Sequence, residues 1–269
     1  MHKSQVPITE LYREITAYRG QDAYGEVLER WLRKSGGYKK WLSRYRDRTN
    51  HHWSAAKQAD LWVLYALYRV TSSLLLRFQA GRGETIDYPE PSLPIEGFQI
   101  FHEQLGFQTT QECKFHPFYH EVLSVSQAED PQAPIKIDQC IWPCLMLGDM
   151  MYCRAGCEVT GGKNHIDKTI AESSTLYWTF CRSDKPCDDQ SHGWGHNSQW
   201  RTNLRRDYRT HDQFFYNVDG DQSLNSLDCE TDGIAHETMI EVVQNRCLIK
   251  SSFDGGELYP YPYCYTEKS

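Results

Sequence analysis

Among the eleven histidines of this 269-residue chain, only one has a carboxylate two residues further on: His165-Ile166-Asp167. The pair lies between an apolar run ending in Met150–Gly156 and a second run, Ser174–Phe180, so that imidazole and carboxylate can face one point. His236, 71 residues beyond His165, offers a third ligand. Two histidines and one carboxylate form the facial triad that holds non-haem Fe(II) and leaves coordination positions open. Arg246, ten residues past His236, opens the apolar run Cys247-Leu-Ile249 and is suited to pair bidentately with the far carboxylate of a 2-oxo acid.

With Tyr152 and Gly156 before the motif, the strand-like Leu176–Phe180 after it, and His236 with Arg246 near the end, the stretch from Cys144 to Phe253 resembles the Fe(II)/2-oxoglutarate-dependent dioxygenases. The resemblance implies a double-stranded β-helix, or jelly roll. Iron would be held by His165, Asp167 and His236, and 2-oxoglutarate by Arg246 with Tyr152 beside it. It further implies an oxygenase that uses O2 to hydroxylate or otherwise oxidise a small polar or amino-acid-like substrate. The family's Gly-Gly-acidic turn has no clear equivalent; Asp219-Gly220-Asp221 stands in the corresponding region.

Two other constellations compete. His116 and His120, and likewise His192 and His196, are four apart, and together they could bind zinc or serve as acid and base in a hydrolase. Partly buried packing is the favoured reading of His116 and His120 over metal binding. From Ser198 to Arg209 a helix would set Arg201 and Arg205 on one face, suited to a substrate carboxylate or phosphate, and a solvated charged face explains them as well. Within the dioxygenase reading, Arg201, Arg205, His192 and His196 would form the lid and the substrate-specific wall.

These side chains need a scaffold. Residues 8–79 read as helix, and Ala55–Gln79 after a Ser54 cap is apolar nearly all round, which predicts a buried helix. Arg69 interrupts it, and the apolar run is too short for a membrane span. Glycines and prolines over 81–97 predict a linker between a helical extension, 1–80, and a β-rich catalytic domain, 98–269. Strands are expected at Tyr119–Ser126, Cys144–Cys153, Cys157–Gly161, Ser174–Arg182, Gln213–Val218 and Glu237–Phe253, the last with a turn at Gln244-Asn245. The fold class expected is therefore α+β, with a jelly-roll core and an N-terminal helical extension.

At 39% hydrophobic and 24% charged, the composition excludes disordered, collagen-like and disulfide-dense classes. No apolar leader follows Met1-His2-Lys3-Ser4-Gln5, so the ten cysteines are expected as reduced thiols of a cytoplasmic protein. The pairs Cys140/Cys144, Cys153/Cys157 and Cys181/Cys187 lack zinc-knuckle spacing and read as small buried hydrophobes. Arg30 to Arg48 carries eight bases against Asp47, interleaved with Trp31, Tyr38, Trp41 and Tyr45, while the net charge is −7. Such a patch can bind nucleic acid or pack through its aromatics, and the acidic chain favours packing. A non-catalytic binding protein that uses these helices is the third functional reading.

Overall fold

The structure is a computed structural model and describes residues 6–46, 53, 55–79, 92–179, 182, 185–188, 200–226, 231, 233–255 and 258–269. Seven α-helices occur among them: α1 (Val6–Ala17), α2 (Glu29–Leu32), α3 (Gly36–Arg46), α4 (Gln58–Leu75), α5 (Ile95–Gln104), α6 (Lys168–Ser173) and α7 (His236–Asn245). The strands are β1 (Gln108–Thr110), β2 (His120–Gln127), β3 (Lys136–Trp142), β4 (Cys144–Leu147), β5 (Met150–Cys153), β6 (Ala155–Gly161), β7 (Leu176–Tyr177), β8 (Cys187–Asp188), β9 (Asp207–Arg209), β10 (Gln213–Tyr216), β11 (Gln222–Ser223) and β12 (Tyr263–Lys268). The fold is α+β with a large multi-stranded sheet. No described helix is long and apolar enough to cross a membrane.

The chain divides into two compact units. The first comprises residues 1–109, 145–148 and 178–204. In α1, Ile8, Leu11 and Ile15 recur at helical spacing and are all buried. α4 is buried from Val63 to Leu75, as its apolar composition requires. Its one cation there, Arg69, is accommodated by aromatic faces: the guanidinium lies 4.7 Å from the Tyr12 ring centroid and 4.4 Å from that of Trp200. α4 starts at Gln58, because Lys57 is extended, and Ser54 lies outside the described residues. The helical part thus exceeds the expected extension at 1–80. α5 begins at Ile95 inside the expected linker, and Arg182 joins the helices by donating to Tyr68 Oη at 3.1 Å.

The second unit comprises residues 110–144, 149–177 and 205–269. Its strands β5, β9, β10, β12 and β11 neighbour one another in that order, antiparallel except for the parallel pair β11/β12. A smaller sheet has the order β2-β6-β3, with β2 parallel and β3 antiparallel to β6. One residue, Arg154, separates β5 in the larger sheet from β6 in the smaller.

Four expected elements differ. The strand expected over Cys144–Cys153 is two strands, divided at Gly148, whose φ of +61° suits a turn. Among its described residues, Ser174–Arg182 contributes only β7, and Trp178 leaves the strand conformation with φ +58°. Of Ser198–Arg209, residues 200–206 are irregular and Asp207–Arg209 is β9 rather than helix, with Arg205 drawn inward to buried Asp207; Ser198 and Gln199 lie outside the described residues. Glu237–Phe253 is not a hairpin. Its buried residues Met239, Val242 and Val243 follow a helical period, Glu237 lies in the positively polarised first turn, and Arg246 closes the helix in the left-handed region at φ +63°.

Candidate functional site

The residues expected to hold iron are spread over separate local tasks. His165 is exposed in the turn after β6. Asp167 caps α6: its Oδ1 accepts from Thr169 N at 2.9 Å and Ile170 N at 3.3 Å, and its Oδ2 lies 3.4 Å from Lys163 Nζ. Those amide donors, with Lys163, outweigh burial and hold its carboxyl below the usual range. His236 opens α7 and donates through Nε2 to Leu224 O at 2.8 Å, so that nitrogen carries a proton rather than a lone pair for a metal. Among the described residues no three His, Cys, Asp or Glu side chains converge as a metal site. These donors do not fit an iron centre. Tyr152 is buried in β5, and Arg201 is exposed, with its guanidinium 5.8 Å from the Trp62 ring centroid. His192 and His196 lie outside the described residues.

The structure does bring two nominated arginines together, around a carboxylate that sequence reasoning missed. Asp207, fully buried at the start of β9, accepts at Oδ1 from Arg205 Nε at 2.7 Å and from the Asn217 amide at 2.7 Å. Its Oδ2 lies 3.1 Å from Arg246 Nη2 and 3.9 Å from Arg154 Nη2. The helix carbonyls exposed at the end of α7 take further donors: Val243 O accepts from Arg205 at 2.6 Å, and Gln244 O accepts from Arg154. Burial pushes the Asp207 carboxyl up, but the three guanidiniums more than reverse this and hold it at about 2. Burial lowers Arg154 to about 10 and Arg205 to about 9, so both stay charged at neutral pH. Besides Asp207, the charge of buried Glu121 also supports Arg154. The Nε and Nη1 of Arg154 are buried without a hydrogen-bond partner among the described residues.

Toward the surface lies a half-buried pair of titratable side chains. His116 Nε2 stands 3.6 Å from Glu267 Oε1, with their side chains 31% and 22% exposed. The Phe118 amide donates to His116 Nδ1 at 3.2 Å, which fixes the neutral tautomer with its proton on Nε2, toward Glu267. Burial, then the charges of Arg154 and His120, lowers His116 to about 4, so the pair is a neutral imidazole beside a carboxyl rather than an ion pair. Glu267 accepts from Tyr216 Oη and from Gln244 Nε2, and burial nevertheless raises its pKa. Tyr119 Oη, next along, accepts from Arg209 Nη1 at 2.7 Å. His120 is spent on structure, taking the His116 amide at Nδ1 at 3.0 Å and donating from Nε2 to Glu112 O at 3.2 Å. The spacing that nominated His116 and His120 closes a turn in the structure.

Residues 154, 207, 216, 244 and 267 were not singled out from the sequence. Arg154 had a readable signal, a lone cation inside the apolar run Met150–Cys157, where burial demands a partner. Compared with protein-family models, curated proteins and solved structures, the chain matches none.

The first unit has a cavity of about 620 Å³ lined by α1, α2 and α3, with Trp31, Tyr38 and Trp41 forming an aromatic wall. Tyr38 and Trp41 stack at 5.3 Å, and Glu10, Glu14, Arg30 and Lys34 supply charges of both signs. Arg30, Arg33 and Arg44 pair with Glu14, Glu29 and Asp60, which offsets the basic patch locally.

Proposed function

We propose that the second unit binds a small anionic molecule over Arg154 and moves a proton on it through His116 and Glu267. The observation that carries this reading is the buried Nε and Nη1 of Arg154, without a hydrogen-bond partner among the described residues, on a guanidinium whose charge acts on His116 of the half-buried His116/Glu267 pair. A guanidinium held in a low-dielectric site stabilises negative charge that develops on a substrate. A glutamate with a raised pKa beside a neutral, tautomer-fixed imidazole is suited to general acid–base work. The dioxygenase reading keeps its anion-binding arginine only in altered form, because Arg246 is committed to Asp207, and no step is derived through iron or 2-oxoglutarate. The jelly-roll topology belongs with that reading, and the parallel pairs β2/β6 and β11/β12 speak against it.

The test is calorimetric titration with succinate, 2-oxoglutarate and inorganic phosphate in two buffers of different ionisation enthalpy. At least one anion should bind saturably with proton uptake, and Glu267→Gln should abolish the uptake while the protein stays folded. Absence of binding by all three at millimolar concentration refutes the proposal.

A second reading rests on the first unit's cavity, whose volume suits a small molecule and whose aromatic wall suits a planar or cationic one. A Cβ added at Gly37 meets nothing within 4 Å, so Gly37→Leu fills the cavity without a backbone clash. Calorimetric titration with tryptamine should show saturable binding that is lost in that variant; absence of saturable binding to the unmutated protein would refute it.

A further inference from the structure

The ten cysteines enter the proposed function nowhere, yet two of them are set for chemistry of their own. Cys140 on β3 and Cys157 on β6 are direct partners in the antiparallel ladder, although neither belongs to the other's sequence pair. Partners in such a ladder stand about 4.5–5.5 Å apart at Cα, within the span a disulfide bridges. Their Sγ atoms lie 3.1 Å apart as free thiols. The ladder is irregular on both sides of this pair, between Ile137 and Gln139 and again between Cys140 and Trp142, which gives the backbone local freedom to adjust. The two differ in access: Cys140 is exposed and Cys157 fully buried.

We propose that Cys140 and Cys157 are a reversible disulfide-forming site that exchanges with low-molecular-weight disulfides of the glutathione class. The difference in access orders the steps. Cys140, as thiolate, attacks one sulfur of the oxidised disulfide, forming a mixed disulfide and releasing one thiolate. Cys157 then gives up its proton and attacks Cys140 Sγ, which expels the second small thiol and leaves the protein disulfide. Two protein thiols are oxidised, one small disulfide is reduced to two thiols, and no other oxidant is needed. Burial pushes the Cys157 thiol up, consistent with its acting second on an adjacent sulfur rather than first on a solvent molecule. The disulfide would tie β3, exposed along most of its length, to the central strand of the smaller sheet.

The test incubates the full chain with oxidised glutathione and maps peptides by mass spectrometry without reduction. Expected is a Cys140–Cys157 cross-link lacking the mass of two hydrogens and reversed by dithiothreitol. The exposed Cys113 serves as an internal control that keeps glutathione. Cys157→Ser should trap glutathione on Cys140; should that variant not fold, the unmutated protein quenched at early times should show the same mixed disulfide passing into the cross-link. The oxidised protein should melt higher than the reduced one, and Cys140→Ser should lose the difference. Stable glutathionylation of Cys140 in the unmutated protein, or a cross-link that maps to other cysteines, overturns the proposal.

Discussion

Replacing Asp207 with asparagine removes a carboxylate that Arg205, Arg246 and Arg154 share, without changing the size of the side chain. The amide oxygen of the new side chain could still accept from the Asn217 amide, but three buried guanidiniums would lose their central counter-charge. Removing one partner of a buried ion pair costs about 3–5 kcal/mol, because the charge left behind is neither solvated nor paired. The depressed pKa gives an independent lower figure. A carboxyl that titrates at about 2 in the fold rather than at its ordinary 3.8 contributes roughly 2 kcal/mol at neutral pH. Nearly all of that share is present above pH 4, and it is lost as pH falls toward 2, with about 1 kcal/mol gone by pH 3. Urea unfolding of Asp207→Asn should therefore show a loss of about 3–5 kcal/mol at pH 7, and the gap to the unmutated protein should narrow by about 1 kcal/mol between pH 5 and pH 3. Glu29→Gln is the control: Glu29 pairs with Arg33 at 2.9 Å with both side chains exposed, and its loss should be about 1 kcal/mol or less. A loss below about 1 kcal/mol for Asp207→Asn, or a gap that does not change with pH, would refute the view of Asp207 as the electrostatic centre of the second unit.

Three further outcomes follow from single residues. Glu241, nearly buried in α7, accepts at Oε1 from the amides of Ile249 at 2.6 Å and Lys250 at 2.8 Å; Glu241→Gln should cost about 1.5–3 kcal/mol and speed hydrogen exchange at those amides. Burial depresses His102 to about 4, so the unfolded chain takes a proton that the fold refuses, and stability should fall from pH 6.5 downward, by about 2–3 kcal/mol at pH 4.5. His102→Gln should reduce that slope by one proton, read from denaturation midpoints across the range; an unchanged slope would contradict it. At Gly148 a Cβ would come within 2.2 Å of Arg46 O at a φ of +61°, so Gly148→Ala should lower stability by more than about 2 kcal/mol in urea unfolding.

The local part of this fold was written in the residue order. α4 announces itself by an apolar surface on nearly every side, and β2, β6 and β10 by short β-rich runs, because helix and strand periods are properties of adjacent residues. The mixture of helix and sheet follows from the same signal. α7 escaped it since Met239, Val242 and Val243 satisfy a helical period within a segment whose Val and Ile content also suits a strand, and packing decided between them. The site was legible only in its residue types. His165, Asp167 and His236 have the spacing of a metal triad, yet each is held by a neighbour near in sequence: a turn, a helix cap and the Leu224 carbonyl. Arg154, Arg205 and Arg246 carry no shared spacing and meet on Asp207 because separate strands and the end of α7 converge there. Residue order decides which charges a chain owns, while the burial that makes a charge expensive, and so forces its partners together, exists only once the tertiary structure has formed.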